Sequence, residues 1–101
     1  MAYVVVLFNL KPGVDRAAYE QWARTSDIPT VNSLASVDSF RVLKASGTLG
    51  GGSSPYEYVE LIDVNDMEQL GADIAADPMP RIAAEFGTFA DNPVFILTEE
   101  L

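Results

Sequence analysis

The residues best equipped for chemistry in this chain lie in PYEYVELIDV, residues 55 to 64. As a strand the segment alternates sides, with Tyr56, Tyr58, Glu60 and Ile62 facing one way and Glu57, Val59, Leu61 and Asp63 the other. Val59 and Leu61 mark a core face, which leaves Glu60 on the uncovered side between an aromatic and an aliphatic neighbour. A hairpin closing symmetrically near Gly50 and Gly51 sets Arg41 opposite Glu60, Ser39 opposite Ile62 and Leu43 opposite Tyr58. A half-buried carboxylate beside Tyr58, held in place by Arg41, can serve as a general base or anchor a donor on a ligand. Arg41 has a second use, because its planar fork matches both oxygens of a substrate carboxylate. Read structurally, the same two residues form a cross-strand ion pair and nothing more.

Other polar groups converge on that face. The first strand adds Asn9 and the last adds Thr98, giving an apolar interior with a few polar groups, as in small-molecule pockets. Trp22 and Tyr58 offer aromatic wall, although Trp22 and Tyr19 serve equally well as core. Asp27 reads first as a helix N-cap two residues before Pro29. Ser26, Ser33 and Ser53 have no histidine to activate them, so a hydrolase triad has no support. GTLGGGSS lacks the Lys-Ser or Lys-Thr ending of a phosphate loop and reads as a mobile flap over the pocket mouth.

Composition narrows the chemistry further. The 101 residues contain no histidine and no cysteine, which removes the usual neutral-pH base and the commonest zinc ligands. Neither a metal nor a cofactor is expected. Fifteen acidic against six basic residues give a net charge of -9, which repels phosphate backbones and anionic lipid surfaces. Nucleic acid and membrane are therefore poor partners. The opening MAYVVVLFNL has no basic region before it and meets Lys11 at once, so it reads as a strand of a cytoplasmic protein rather than a signal or a span. Absence of cysteine fits a reducing compartment.

The elements that must position these residues follow from pattern. Residues 2 to 10 form a first strand, with Tyr3, Val5, Leu7 and Asn9 on one face. KPGVD breaks the chain, and Asp15 caps a helix that places Tyr19, Trp22 and Ala23 on one side. That helix falters near TSDIPT, because the residue before a proline avoids the helical region, and a short helix follows from Ile28 to Leu34. Residues 37 to 45 alternate as a second strand, SGTLGGGSS is a hairpin loop, and the return strand carries Glu60. Asn65 and Glu68 form a capping box for a helix with Met67, Leu70 and Ile74 inward. DPMP interrupts it, Ile82, Phe86 and Phe89 mark another helical segment, and ADNP leads into the final strand, VFILTEE.

The order βαββαβ, with right-handed crossovers, predicts one α+β domain over residues 1–101. Its form is a ferredoxin-like four-stranded antiparallel sheet with helices on one face. The bare face would carry Val5, Leu7, Leu43, Tyr58, Ile62, Val94 and Ile96, too apolar to leave wet. A homodimer whose facing sheets enclose a chamber is the expected solution.

The stretch YEQWARTSDIPTVNSLASVDSFRVLKASG, with PYEYVELIDVND and FADNPVFILTEEL, resembles the small REDY-like or HapK-type proteins of bacterial pigment biosynthesis. The resemblance spans nearly the whole chain, and DIPTV, PYEYVE and FADNPV are its telling pieces. It implies a dimeric α+β barrel working among prodigiosin-like, pyrrole- or indole-containing metabolites. Broader relatives of that fold, including cofactor-free antibiotic monooxygenases, often carry a histidine before the helix-breaking proline. Asp27 stands there in this chain, which makes it a candidate pocket residue.

Glu60, Asp27 and Arg41 are thus the candidate catalytic groups, with Asn9, Trp22, Tyr58, Ser39 and Thr98 as substrate contacts. The expected function is that of a cofactor-independent enzyme or accessory protein acting on a small aromatic metabolite. The alternatives are a non-catalytic carrier, a cofactor-free monooxygenase and a purely structural dimer module.

Overall fold

The structure is a computed structural model and describes residues 2–101. Strand β1 (Ala2–Leu10) is rich in β-branched residues and buries Val4, Val6 and Phe8 at alternate positions. Helix α1 (Arg16–Trp22) starts where Asp15 accepts the Ala17 amide at 3.1 Å. A π-helical turn over Ala23–Asp27 joins it to α2 (Ile28–Asn32). Strands β2 (Val37–Lys44) and β3 (Tyr58–Val64), helices α3 (Met67–Ala75) and α4 (Met79–Phe89), and β4 (Ala90–Leu97) complete the chain. The sheet order is β2-β3-β1-β4, antiparallel throughout, with the helices over one face. This is the ferredoxin-like α+β architecture expected from the element order.

Two expectations about local structure are corrected. The chain does not break before Pro29. Proline has no N–H for the Thr25 carbonyl and its ring crowds that group, and the helix meets both problems by widening one turn, so that the Ile28 amide bonds the Ala23 carbonyl five residues back. At α3 the cap is Asp66, whose side chain accepts from the Glu68 and Gln69 amides at 3.1 Å. Asn65 instead donates to the Ala35 carbonyl and to Asp38.

The third correction decides where the chemistry lies. Arg41 pairs with Leu61, Val42 with Glu60, Leu43 with Val59 and Ser39 with Asp63, one residue away from a symmetric hairpin. A one-residue slip turns every side chain to the other face. Tyr58, Glu60, Ile62 and Val64 therefore face the helices with Val4, Val6 and Phe8, and Val59 and Leu61 lie on the bare face. The alternative would have buried two carboxylates, Glu57 and Asp63, instead of one. Asn9 fixes the choice at the loop end, since its side chain accepts from the Glu57 amide at 2.9 Å and donates to the Pro55 carbonyl at 3.1 Å.

The core under the helices is largely aromatic. Phe8 stacks on Tyr58 with ring centroids 5.5 Å apart, and meets Tyr19 and Phe86 edge-on at 5.6 and 5.0 Å. A second cluster of Val31, Val37, Phe40, Met79 and Ile82 joins α2, β2 and α4. Helix α3 has no fully buried residue, and Asp73 holds it to the turn before β2 by accepting from Ser36 Oγ at 2.6 Å and from the Ser36 amide at 3.1 Å. Loss of the cap through Asp66→Ala is expected to cost about 1 kcal/mol in urea unfolding with an unchanged slope. Asn65→Ala does not touch that cap and should leave the two amides it satisfies protected from hydrogen exchange.

Candidate functional site

Between the sheet and the helices lies a cavity of about 250 Å³. Its floor is Val4, Phe40, Glu60 and Ile62 of the sheet, and its walls come from Asp27, Val31, Leu34, Leu70, Ile74, Met79, Ile82, Ala83 and Phe86. Phe95 of β4 lies at the rim, and both it and Ile74 are more than half exposed. The cavity thus belongs to one protomer, on the face opposite the chamber expected between two sheets. No residue of the Gly/Ser loop lines it, so that loop is not its flap.

Two of the expected catalytic residues meet in this space. Asp27 follows Tyr19 and Ala23 at four-residue spacing and shares their inward side through the π turn. It makes no cap hydrogen bond, so the N-cap role falls away. Glu60 arrives from the middle of β3. Each is 5% exposed, and no other polar side chain lines the cavity among the described residues.

Burial without a cation disfavours the charged forms. It pushes Asp27 up to about 7, and burial together with the nearby Asp27 charge pushes Glu60 up to about 8. Glu60 Oε2 has no hydrogen-bond partner among the described residues, and neither does the buried Tyr19 hydroxyl. The Tyr19 phenol is itself driven upward by burial, then by Glu60 and Asp27. The outcome is a pair of acids that share a low-dielectric space, each with its charged form disfavoured near neutrality.

The remaining expected site residues are elsewhere. Arg41 is exposed on the bare face, beside Leu61, and forms no salt bridge among the described residues. Its pairing with Glu60 is overturned, because the register places them on opposite sides of the sheet. Ser39 shares the bare face, opposite Asp63. Asn9 is occupied at the loop end, and Thr98 accepts from the Tyr3 amide at 3.3 Å and donates to its carbonyl at 2.7 Å. Trp22 packs among Tyr19, Phe86 and Phe89 and donates its indole N–H to Glu85 at 2.9 Å.

Tyr58 is core, 1% exposed. Its hydroxyl donates to Glu20 at 2.7 Å and accepts from Arg16 at 3.2 Å. Burial is the main cause that raises Tyr58 to about 12. Tyr58 and Tyr19 border a smaller cavity of about 110 Å³ whose rim carries Glu20, Arg24 and Lys44. Among the described residues no group of three or more His, Cys, Asp or Glu is placed to hold a metal ion, and no helix is long and apolar enough to cross a membrane.

A four-stranded antiparallel sheet covered by helices on one face defines a ferredoxin-like α+β protein. More narrowly, this chain belongs to the family of the REDY-like protein HapK, whose model matches residues 2–101. It is similar to the crystal structure of HapK from Hahella chejuensis, with a TM-score of 0.80 and 26% identity over 100% of this chain and 93% of that one. An ethyl tert-butyl ether d (EthD) family protein from Bacillus halodurans shares the fold, with TM-score 0.80, 18% identity and coverage of 100% and 99%. So does a dimeric ferredoxin-like protein of unknown function from Thermobifida fusca, with TM-score 0.73, 14% identity and coverage of 98% and 90%. No curated protein sequence matches the chain.

The pH dependence of stability follows from the raised acids. Their folded pKa values of about 7 and 8 lie above the ordinary 3.8 and 4.5, so folding favours the protonated forms. The stability this gives is full below about pH 4 and is lost as pH rises through 7 and 8. Glu20, Glu57, Asp73 and Glu85 are held below the ordinary range by hydrogen bonds and act with the opposite sign, but only in the acid region. Urea unfolding is expected to show stability falling between pH 5 and pH 8 in the native chain and a flatter profile in Glu60→Gln.

Proposed function

We propose that the protein is a cofactor-independent enzyme that moves a proton to or from a small aromatic, pyrrole- or indole-like intermediate of secondary metabolism. One observation carries this reading: two carboxyl groups are buried in an apolar cavity with no cation lining it among the described residues. Near neutral pH such a pair supplies an acid and a base in the same space, which suits general acid–base catalysis. The cavity's size favours one or two rings, since about 150 Å³ already accommodates benzene. A setting near prodigiosin-like pigments rests on the HapK kinship alone.

In the proposed step the Glu60 carboxyl gives its proton to a ring carbon of an electron-rich heterocycle. The ring becomes cationic beside the Asp27 carboxylate, and aromaticity returns when a proton leaves the same carbon for either carboxylate. In D2O this step exchanges ring hydrogen for deuterium without net reaction, so it can be followed by NMR before the natural substrate is known. The native chain is expected to accelerate exchange on pyrrole or indole by about 10²-fold or more over buffer. Glu60→Gln should abolish the acceleration with indole still bound. Binding without any exchange would instead make the protein a carrier.

We also propose that the chain forms a homodimer through its bare sheet face, in the dimeric α+β barrel manner. Val5, Leu7, Val59, Leu61, Val94 and Ile96 give that face a wide apolar surface, which a soluble protein covers. Leu61, on a central strand, is the most telling place for a charge. Sedimentation of the native chain is expected at twice the mass of one chain, and Leu61→Lys at the mass of one. A native chain that sediments as a monomer at micromolar concentration refutes the interface.

A further inference from the structure

The six cations of this sequence all lie away from the cavity. Arg16 pairs with Glu57, Arg24 and Lys44 with Glu20, and Arg81 with Glu85. The Lys11 ammonium donates to the Gly87 carbonyl, and Arg41 stands on the far side of the sheet. Among the described residues, the cavity's polar side chains are Asp27 and Glu60 alone. Once one of them is ionised, the two acids offer a single O–H donor against several acceptor lone pairs, and one acceptor, Glu60 Oε2, has no partner among the described residues. Donors for these oxygens can be supplied by a ligand that carries N–H groups.

We infer that the site selects a planar nitrogen base, a one- or two-ring amine or amidine that presents N–H groups and a charge of zero or plus one, and rejects carboxylates of the same shape. The inference rests on the ligand-pocket reading above and adds the ligand's charge and donor pattern to it. An amidine-like edge offers two parallel N–H donors to a carboxylate, the geometry that makes such pairs strong. A ligand carboxylate would instead bring a further negative charge into a low-dielectric space with no cation to receive it, where charge repulsion is barely screened. An apolar isostere without N–H groups fits by shape but leaves the buried acceptor unpaired. The same logic removes the carboxylate-binding role considered for Arg41.

Four probes of similar shape test this by calorimetry on the full chain at pH 7: 2-aminobenzimidazole, indole, benzofuran and indole-2-carboxylate. The expected order of affinity is as written, with 2-aminobenzimidazole at least about tenfold tighter than benzofuran and indole-2-carboxylate weakest. The double variant Asp27→Asn with Glu60→Gln keeps the shape of both side chains and should bind benzofuran while losing the preference for 2-aminobenzimidazole. Should it fail to fold, Glu60→Gln alone is expected to reduce that preference. Indole-2-carboxylate binding as well as indole, or the preference surviving in the variants, overturns the inference and leaves the pocket reading standing. If no probe binds, the pocket reading falls and this inference falls with it.

Discussion

Glu60 stands opposite Val6 on one neighbouring strand and Val42 on the other, at the middle of the sheet, with its carboxyl in the layer under the helices. Its place is fixed by its strand-mates. Tyr58, Ile62 and Val64 share that face, and no slip frees Glu60 without carrying those three apolar side chains into water. The strand thus trades one buried acid for a continuous core. Asp27 compounds the constraint from the other layer, because the turn that accommodates Pro29 leaves its side chain pointing inward. Two groups that solvate well in an unfolded chain are brought into one apolar space, and the cavity's electrostatics follow from that placement.

The contrast with two partly exposed acids shows what is special about this pair. Glu20 lies beside Lys44 and Arg24 and accepts from the Tyr58 hydroxyl, and Glu57 accepts from the Leu10 amide and from Arg16. Both are held below the ordinary carboxylate range by those bonds. Asp27 and Glu60 have no comparable partners and are driven the other way. One small domain therefore keeps two sets of carboxylates with opposite tendencies, one set tying the hairpin and α1 together and the other retaining protons near neutrality. Environments that push acids apart in this manner are what the proposed acid–base role requires.

Fold and site were unequally legible in the sequence. Strand and helix order, the one-sided helix cover and the inward faces of β1 and β2 follow from hydrophobic period, and they suffice for the architecture. Glu60 and Asp27 stand out as well, but the companions assigned to Glu60 do not hold. A symmetric closure of the hairpin misses the register by one residue, and that single residue places Arg41 and Glu60 on opposite faces of the sheet. The correct register can be argued from the strand itself, because its two faces carry one and two acids respectively. Asn9, Thr98 and Tyr58 are polar groups on suitable strands, yet the backbone and Glu20 claim their hydrogen-bonding capacity, a competition that pattern alone does not show. The π turn is harder to foresee, since a proline in a helical stretch more often ends the helix than widens it.

The alternation that hides Glu60 also exposes Val59 and Leu61, and this links the site's cost to the surface expected to offset it. A pair of buried acids lowers the stability of a small domain whose total margin is on the order of 5–15 kcal/mol. Repairing that loss inside the cavity, with a cation or a larger apolar side chain, would remove the acids' raised pKa values or the space a ligand needs. Stability gained on the bare face touches neither. Residues 59 and 61 point away from the cavity while residues 58, 60 and 62 face the helices, so the proposed packing of a second copy on the outer side would add apolar burial on the face opposite the site. On this view the proposed dimer supports the protomer's chemistry without taking part in it, and the sheet between them keeps the two tasks apart.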